Sequence, residues 1–573
     1  MGLIARAALL ALLAQSAVAA TATAPVGFFA EHTAGPWPLS EFAPPAGARA
    51  PSHVFEGRLH LGESLPGGGF RVLLDRYGDA RSDGGAARRL PGLDIELVQD
   101  GDVLIPAARG PLHSSHPQWE FVIEPGRVWD QDGDGEWTRA ALPFALEERN
   151  ANCMHNGVLT FLFGTGGRIS HVAFEIAHET CAYFQFDAWG LVQARYEPQV
   201  SPRRAALVAA WGRESVGRIP TRPIATLAVD HPGVDAAQFG SAAEVKPADM
   251  TLYGVLVDGV HYTGGCNTRF GPYPYCDELD LPSYSVAKTL VGGIAAMRAA
   301  AIDPAVPAMP IARLVPECAG GGWDGVTVAD ALNMATGHYE SDADQADEGN
   351  ADLLPFFLAE DHATRIRFAC RHYPRRVEPG ERWVYHTSDS YLLGTALAAW
   401  YRGRSGAGAD FFQGLLVVPI WQGLGLSPTA AATRRTRDAV RQPFTGYGLT
   451  LKRDDVVKLA RFLVAGDGDI GGQPVIDPVM LRAGLERDPA RPGLRADSDT
   501  LRYRNAFWAW NAQQTLGCAA PVWIPFMSGF GGIIVALLPN GIVYYYFSDG
   551  GAFSWARAVR EADRIHPLCR SGR

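Results

Sequence analysis

From Phe55 to Tyr196 the apolar residues fall in short runs broken by Gly, Pro and Asp, among them Phe70–Leu74, Ile95–Val98, Trp119–Ile123, Val158–Phe163 and His171–Ile176. Runs of that length and composition read as strands, which makes this first region β-rich with few helices. A segment bearing Pro and Arg, 198–204, followed by 205–211, leads onward, and the boundary is placed near residue 225. Beyond it the period changes. Thr251–His261 reads as a hairpin around Asp258-Gly259. From Ser285 the residues Val286, Leu290, Ile294 and Met297 mark one apolar stripe of a long helix. Further helices are expected at Val328–Met334, Tyr391–Tyr401 and Arg453–Val464, and a final amphipathic one at Ala552–Ile565. Ile533–Leu538 and Ile542–Phe547 flank Pro539-Asn540-Gly541, a second hairpin. Helices in the middle with antiparallel strands from both ends describe an α+β domain over residues 226–573, preceded by a β-rich accessory domain over 21–225.

Composition narrows the setting. A chain of 573 residues exceeds one ordinary domain, and 47% hydrophobic residues supply ample core. A net charge of -10 argues against nucleic acid or an anionic membrane as the main partner. Met1–Ala20 reads as a secretory signal, with Arg6, an apolar segment at 7–14 and Ala17-Val18-Ala19 as the cleavage site. Periplasmic or secreted localisation follows, and no later stretch is long enough for a membrane span. Eight cysteines in an exported chain imply disulfides, although eight allow 105 connectivities. Pairing of sequence neighbours is the simplest expectation: Cys153–Cys181, Cys266–Cys276, Cys318–Cys370 and Cys518–Cys569.

Candidate chemistry begins with a scarcity. Of 51 basic residues only Lys246, Lys288, Lys452 and Lys458 are lysines, and Lys288 follows a serine by three positions in Ser285-Val286-Ala287-Lys288. Arg cannot give up its proton in a protein, whereas a desolvated Lys can become neutral and serve as a base. Residues i and i+3 share a helix face, so Lys288 can activate the Ser285 hydroxyl. A capping serine followed by a surface lysine would look the same in isolation. Tyr385, on a loop just before a helix, can present its hydroxyl to this pair; with its pKa depressed by a nearby cation it would shuttle a proton to the leaving group. Asp389 and Ser390 read as caps of the helix that follows.

Three blocks in order carry a resemblance: Ser285-Val286-Ala287-Lys288, Leu332-Asn333-Met334-Ala335-Thr336-Gly337, and Pro379-Gly380 with Tyr385, Asp389 and Leu392-Leu393-Gly394. Over roughly Met250–Asp549 the chain resembles the β-lactamase-related serine hydrolases. That superfamily holds class C β-lactamases, penicillin-binding DD-peptidases, related esterases and 6-aminohexanoate-dimer hydrolases. The resemblance implies a β-lactamase/transpeptidase-like fold, with an antiparallel sheet flanked by helices. It also implies an acyl-enzyme on Ser285 with Lys288 and Tyr385 handling protons, and leaves open which of those two is the general base. Thr387 stands where class C enzymes favour Asn, so the block is more similar to the esterase and 6-aminohexanoate-dimer hydrolase side.

The family's third element, Lys-Thr-Gly on a strand beside the nucleophile, has its counterpart in Met527-Ser528-Gly529-Phe530-Gly531-Gly532. Ser528, Gly529 and Phe530 would form the oxyanion and substrate strand, with the N–H groups of Phe530 and Ser285 facing the oxyanion. Met527 replaces the lysine that helps bind a substrate carboxylate, which weakens antibiotic or D-Ala-D-Ala recognition. The reading is an exported serine hydrolase of a small ester, amide or peptide substrate, with no cofactor and no metal. Its alternatives are a β-lactamase or DD-peptidase, and an inactive ligand-binding protein of the same fold.

Two other signals carry less. Asp130–Glu136 resembles the start of a calcium loop, but the twelfth position is Ala141, so an acidic turn is the default. His113, His116, His155, His171 and His178 show no coherent metal-ligand spacing.

Overall fold

The computed structural model describes residue 29 and residues 35–64, 68–320 and 322–569; the leader Met1–Ala20 lies outside them. The short runs of the first region become the strands of a 10-stranded antiparallel sheet. Its first strand, Glu56–Ser64, pairs both with Leu93–Asp100 and with the last strand, Phe184–Pro198, so the sheet closes into a barrel. Closure removes the exposed edges that an open sheet would leave. Apolar side chains such as Leu59, Leu97, Phe144, Phe161 and Phe174 fill one continuous interior.

The strands Thr138–Glu148, Met154–Phe163 and Val172–Thr180 are buried on both faces. Ala140, Leu142 and Leu146 point into the barrel. Ala141, Val158 and Ala173 instead join the core of the second region. Buried acids of the barrel form ion pairs with the second region. Arg434 reaches Glu120 at 2.7 Å and Glu147 at 3.0 Å. Lys452 sits 3.0 Å from Glu124 and 2.6 Å from Asp280. In the Asp130–Glu136 turn, Asp132, Asp134 and Glu136 pair with Arg49, Arg139 and Arg168, and Asp130 accepts Ser52 N–H and the Thr138 hydroxyl.

The second region is built on a 9-stranded sheet that takes strands from both ends of its sequence. Met250–Val257 pairs with Val543–Ser548, which continues through Ile533–Leu537, Trp523–Gly529 and Phe507–Asn511. All pairings are antiparallel except Thr221–Pro223, which runs parallel to Val260–Gly265. Alternate residues separate the two faces, as the pleat requires. Val535 and Leu537 face the helical core, while Ile534 and Ala536 pack under the C-terminal helix Ala556–Ile565. This is a β-lactamase/transpeptidase-like α+β fold beside a β-rich barrel.

The helix after Ser285 differs from a one-sided stripe. Lys288–Gly293 is π-wound and buried throughout, and Ile294–Ile302 continues it. A helix apolar all round belongs inside a core, and π-turns occur where a helix is re-aimed at a functional site. The helix expected at Tyr391–Tyr401 runs from Thr387 to Ser405, and the last helix begins at Ala556. The four disulfides join sequence neighbours: Cys153–Cys181, Cys266–Cys276, Cys318–Cys370 and Cys518–Cys569. Among the described residues no helix is long and apolar enough to cross a membrane. One cluster with metal-ligand types, Cys153, His155 and Cys181, holds both its cysteines in a disulfide.

The ion pairs between barrel and helical region lead to a prediction. Arg434→Met leaves Glu147 buried without its cation and Glu120 with only Arg437 and His113, and should cost about 3–5 kcal/mol. Chemical denaturation checks this; a midpoint equal to wild type would show that the seam does not depend on Arg434.

Candidate active site

Backbone strain and hydrogen bonds place Ser285 before the helix. Tyr284 has φ 39°, a left-handed conformation in which a bulky residue is held only by its surroundings. Ser283 N–H donates to Leu449 O at 2.9 Å, and Lys288 N–H donates to Ser285 O at 3.0 Å, so the chain turns sharply into the helix. Lys288 Nζ then lies 2.9 Å from Ser285 Oγ. It also donates to Thr387 Oγ1 at 2.8 Å and Gly446 O at 3.3 Å. A neutral amine has two hydrogens and one lone pair. With Thr387 and Gly446 accepting the hydrogens, the lone pair is left for the Ser285 hydroxyl. Burial lowers the Lys288 pKa to about 8, against the pull of the Glu348 carboxylate.

Glu348 had no signal in the sequence beyond an acidic run, Asp342 to Glu348, of a kind that normally marks a solvated loop. Its carboxylate accepts Thr387 N–H at 2.8 Å and the Thr387 hydroxyl. It therefore caps the Thr387–Ser405 helix from a different loop, where a negative charge suits the helix N-terminus. Asp347 fixes that loop by accepting Glu340 N–H, Ser341 N–H and His386 Nε2 at 2.8, 2.9 and 3.0 Å.

Asp389 and Ser390 do not cap this helix, because it starts two residues before Asp389, at Thr387. Asp389 is instead buried within the first turn. It accepts the Thr336 hydroxyl at 3.2 Å, and burial raises its pKa to about 6.

The Leu332–Gly337 block positions Tyr385. Met334 O accepts Val384 N–H at 2.9 Å, Ala335 O accepts Gly380 N–H at 2.7 Å, and Asp344 O accepts Tyr385 N–H at 2.9 Å. The expected depression of the Tyr385 pKa by a cation does not occur. Lys288 Nζ lies over the ring, 4.9 Å from its centroid, rather than stabilising a phenolate oxygen. Burial raises this phenol well above its ordinary value, and Glu348 adds to the effect while a hydrogen bond with Ser285 opposes it. Tyr385 stays protonated.

The Trp523–Gly529 strand closes the other side. Ser528, Gly529 and Phe530 line the same cleft as Ser285 and Tyr385, a space of about 710 Å³. A Cβ on Gly529 would lie 2.9 Å from Ser283 O and 3.1 Å from Ile533 Cβ, so only glycine lets the strand approach the serine turn. Met527 points the other way, into the helical core. Trp508, Trp510, Phe526 and Trp555 wall the cleft, and Glu348 and Asp497 are its acids; no Lys or Arg is among the described lining residues.

Residues 280–413, which carry Ser285, Lys288 and Tyr385, match the family model described as Beta-lactamase. The chain carries a β-lactamase-related domain. No curated protein matches the sequence. Among solved structures, the chain is similar to a Caulobacter crescentus penicillin-binding protein homologue, at 17% identity over 57% of this chain and 95% of that one, with a TM-score of 0.42. It is also similar to a Bacillus anthracis protein assigned as a 6-aminohexanoate-dimer hydrolase, at 14% identity over 61% and 85%, TM-score 0.42. A class C β-lactamase gives 14% identity over 56% and 91%, TM-score 0.39. At these scores the likenesses say nothing about substrate.

The close approach of strand and serine turn in this β-lactamase-related domain can be tested directly. Gly529→Ala must push Ser283 away, and should destabilise the protein by about 1–3 kcal/mol. A thermal or denaturant midpoint unchanged from wild type would mean that the gap is wider than the geometry states.

Proposed function

We propose that this protein is an exported serine hydrolase that cleaves an ester or amide bond through an acyl-enzyme on Ser285. The observation that carries the reading is the desolvated Lys288 amine, with both acceptors of its hydrogens in place and its nitrogen 2.9 Å from Ser285 Oγ. Ser285 Oγ attacks the carbonyl carbon while its proton passes to Lys288 Nζ. The N–H groups of Ser285 and Phe530 take up the charge that develops on the carbonyl oxygen. On collapse the leaving group takes the Tyr385 phenolic proton, and Tyr385 regains one from the Lys288 ammonium. Water then attacks the acyl ester by the same route in reverse. Between the two candidate bases, Lys288 is favoured, because burial moves its pKa toward neutrality and moves that of Tyr385 away from it.

The cleft favours an uncharged substrate with a bulky apolar or aromatic group. Trp508, Trp510, Phe526 and Trp555 offer stacking surface, whereas Glu348 and Asp497 would repel a carboxylate. Burial of Met527, where related enzymes carry a lysine, points the same way. A β-lactamase or DD-peptidase must bind such a carboxylate and is the less favoured reading. Export is supported by the four disulfides and by the leader-like N-terminus.

A panel of p-nitrophenyl esters, short amides and nitrocefin tests this reading. Neutral aromatic or long-chain esters should be the best substrates, and Ser285→Ala and Lys288→Arg should each lose at least ~10²–10⁴-fold in kcat. Nitrocefin turnover matching the best ester would favour a β-lactamase. Failure of a fluorophosphonate to label folded wild type, with no hydrolysis of any substrate, would favour a binding protein.

The pH profile gives a separate check. Only neutral Lys288 accepts the proton, so kcat/KM should fall about tenfold per unit below pH 8 and level off above it. Glu348→Gln removes the charge that favours the ammonium, and should move this limb to lower pH. A limb that stays in place would exclude Lys288 as the titrating base.

A further inference from the structure

We infer that the barrel is a working part of the active site, with Asn152 positioning the nucleophile turn and the Cys153–Cys181 bond linking it to the support of the opposite, Phe530 turn. This rests on Ser285 being the nucleophile. Asn152 belongs to the barrel and is fully buried, at 0% exposure. Its side-chain oxygen accepts Ser283 Oγ at 3.2 Å, Tyr284 N–H at 2.8 Å and Gly448 N–H at 3.1 Å. Its amide nitrogen donates to Glu147 Oε1 at 3.0 Å, which fixes which way the carboxamide faces.

These contacts fall where the chain needs them. Tyr284 is the residue at φ 39°, and its N–H is the donor that Asn152 holds most closely. The Ser283 hydroxyl in turn accepts Leu449 N–H at 3.0 Å, so one amide oxygen gathers the serine turn and the 446–449 segment that supplies Gly446 O to Lys288. A left-handed tyrosine directly before the nucleophile persists only while its surroundings over-determine it. The Asn152 carboxamide is one of those determinants.

The opposite turn leans on the barrel too. A Cβ built on Gly531 would meet Ala182 Cβ at 3.4 Å, and the Phe530 ring lies between Tyr183, at 6.3 Å, and Tyr284, at 5.6 Å. Cys181 N–H donates to Asp549 Oδ2 at 3.5 Å, beyond the same hairpin. Asn152 immediately precedes Cys153, and Ala182 immediately follows Cys181, whose Cα atoms are 4.9 Å apart in the disulfide. One covalent bond thus joins the segment that holds Ser283 and Tyr284 to the segment that backs Phe530. Asn152 and Ala182 touch no substrate; they act through the two turns.

The test uses the full-length oxidised protein, a fluorophosphonate label and a p-nitrophenyl ester, with active sites counted by titration. Asn152→Ala should lower kcat per titrated site and the Ser285 labelling rate by about a hundredfold. KM should stay within about threefold, because Trp508, Trp510 and Phe526 lie outside the contacts that are lost. Asn152→Asp still offers an oxygen to the three donors but faces Glu147 with a carboxyl in place of the amide N–H. It should therefore recover about tenfold of that loss, measured against wild type at the same pH, only below about pH 7, where a proton can bridge the two acids. If Asn152→Ala does not fold, Cys153→Ser/Cys181→Ser should show the same loss of kcat at unchanged KM. Labelling of wild type together with equally fast labelling of folded Asn152→Ala would overturn the inference. Full kcat per titrated site in a destabilised variant would overturn it as well, since a merely structural role lowers the number of active sites and not their rate. Absence of label on wild type would count against the nucleophile itself.

Discussion

The site depends on keeping water from one amine. In water Lys288 would be an ammonium with a pKa near 10.5, with no lone pair to accept a proton. Burial penalises the charged form, and the remaining contacts of Nζ decide what the neutral form can do. Thr387 and Gly446 occupy its hydrogens and Ser285 faces its lone pair. Much of the surrounding architecture serves this exclusion. The helix that carries Lys288 is apolar on every side, Tyr385 covers the amine with its ring, and Trp383 and Trp508 pack behind that tyrosine. Full desolvation would drive the pKa too low, and Glu348 acts against it through Thr387.

Charge is handled differently at the seam between barrel and helical region. There Arg434 and Lys452 are buried but fully paired, so they remain cations and fix geometry rather than react. Lys288 and Lys452 show the contrast. Both are buried, yet burial lowers the first, while Asp280 and Glu124 outweigh burial and raise the second. Burial can therefore move one lysine toward neutrality and leave another a structural ion in the same chain, and the neighbouring carboxylates decide which.

Much of the fold was legible locally. Trp119–Ile123 and Arg453–Val464 match the observed elements end to end, because each is short, strongly patterned and bounded by turn residues. Thr138–Glu148 and the neighbouring strands were harder to read. They are buried on both faces, which erases the alternation that marks a strand. The start of the Thr387–Ser405 helix was misplaced for a related reason. Its cap is Glu348, 39 residues away, and capping rules read only neighbours.

The sequence alone determined many of the elements and the order of the three motif blocks, and it singled out Ser285 and Lys288 as candidates and neighbour pairing as the simplest cysteine scheme. These rest on short-range chemistry: side-chain period, helix spacing and the difference between Lys and Arg. Tertiary structure decided the state of that lysine, the protonation of Tyr385, the part played by Glu348 and the hold of Asn152 on the Ser283–Tyr284 turn. Each of these depends on desolvation or on a hydrogen bond between residues far apart in the chain. Such quantities arise from what surrounds a group in space, which a linear pattern does not record.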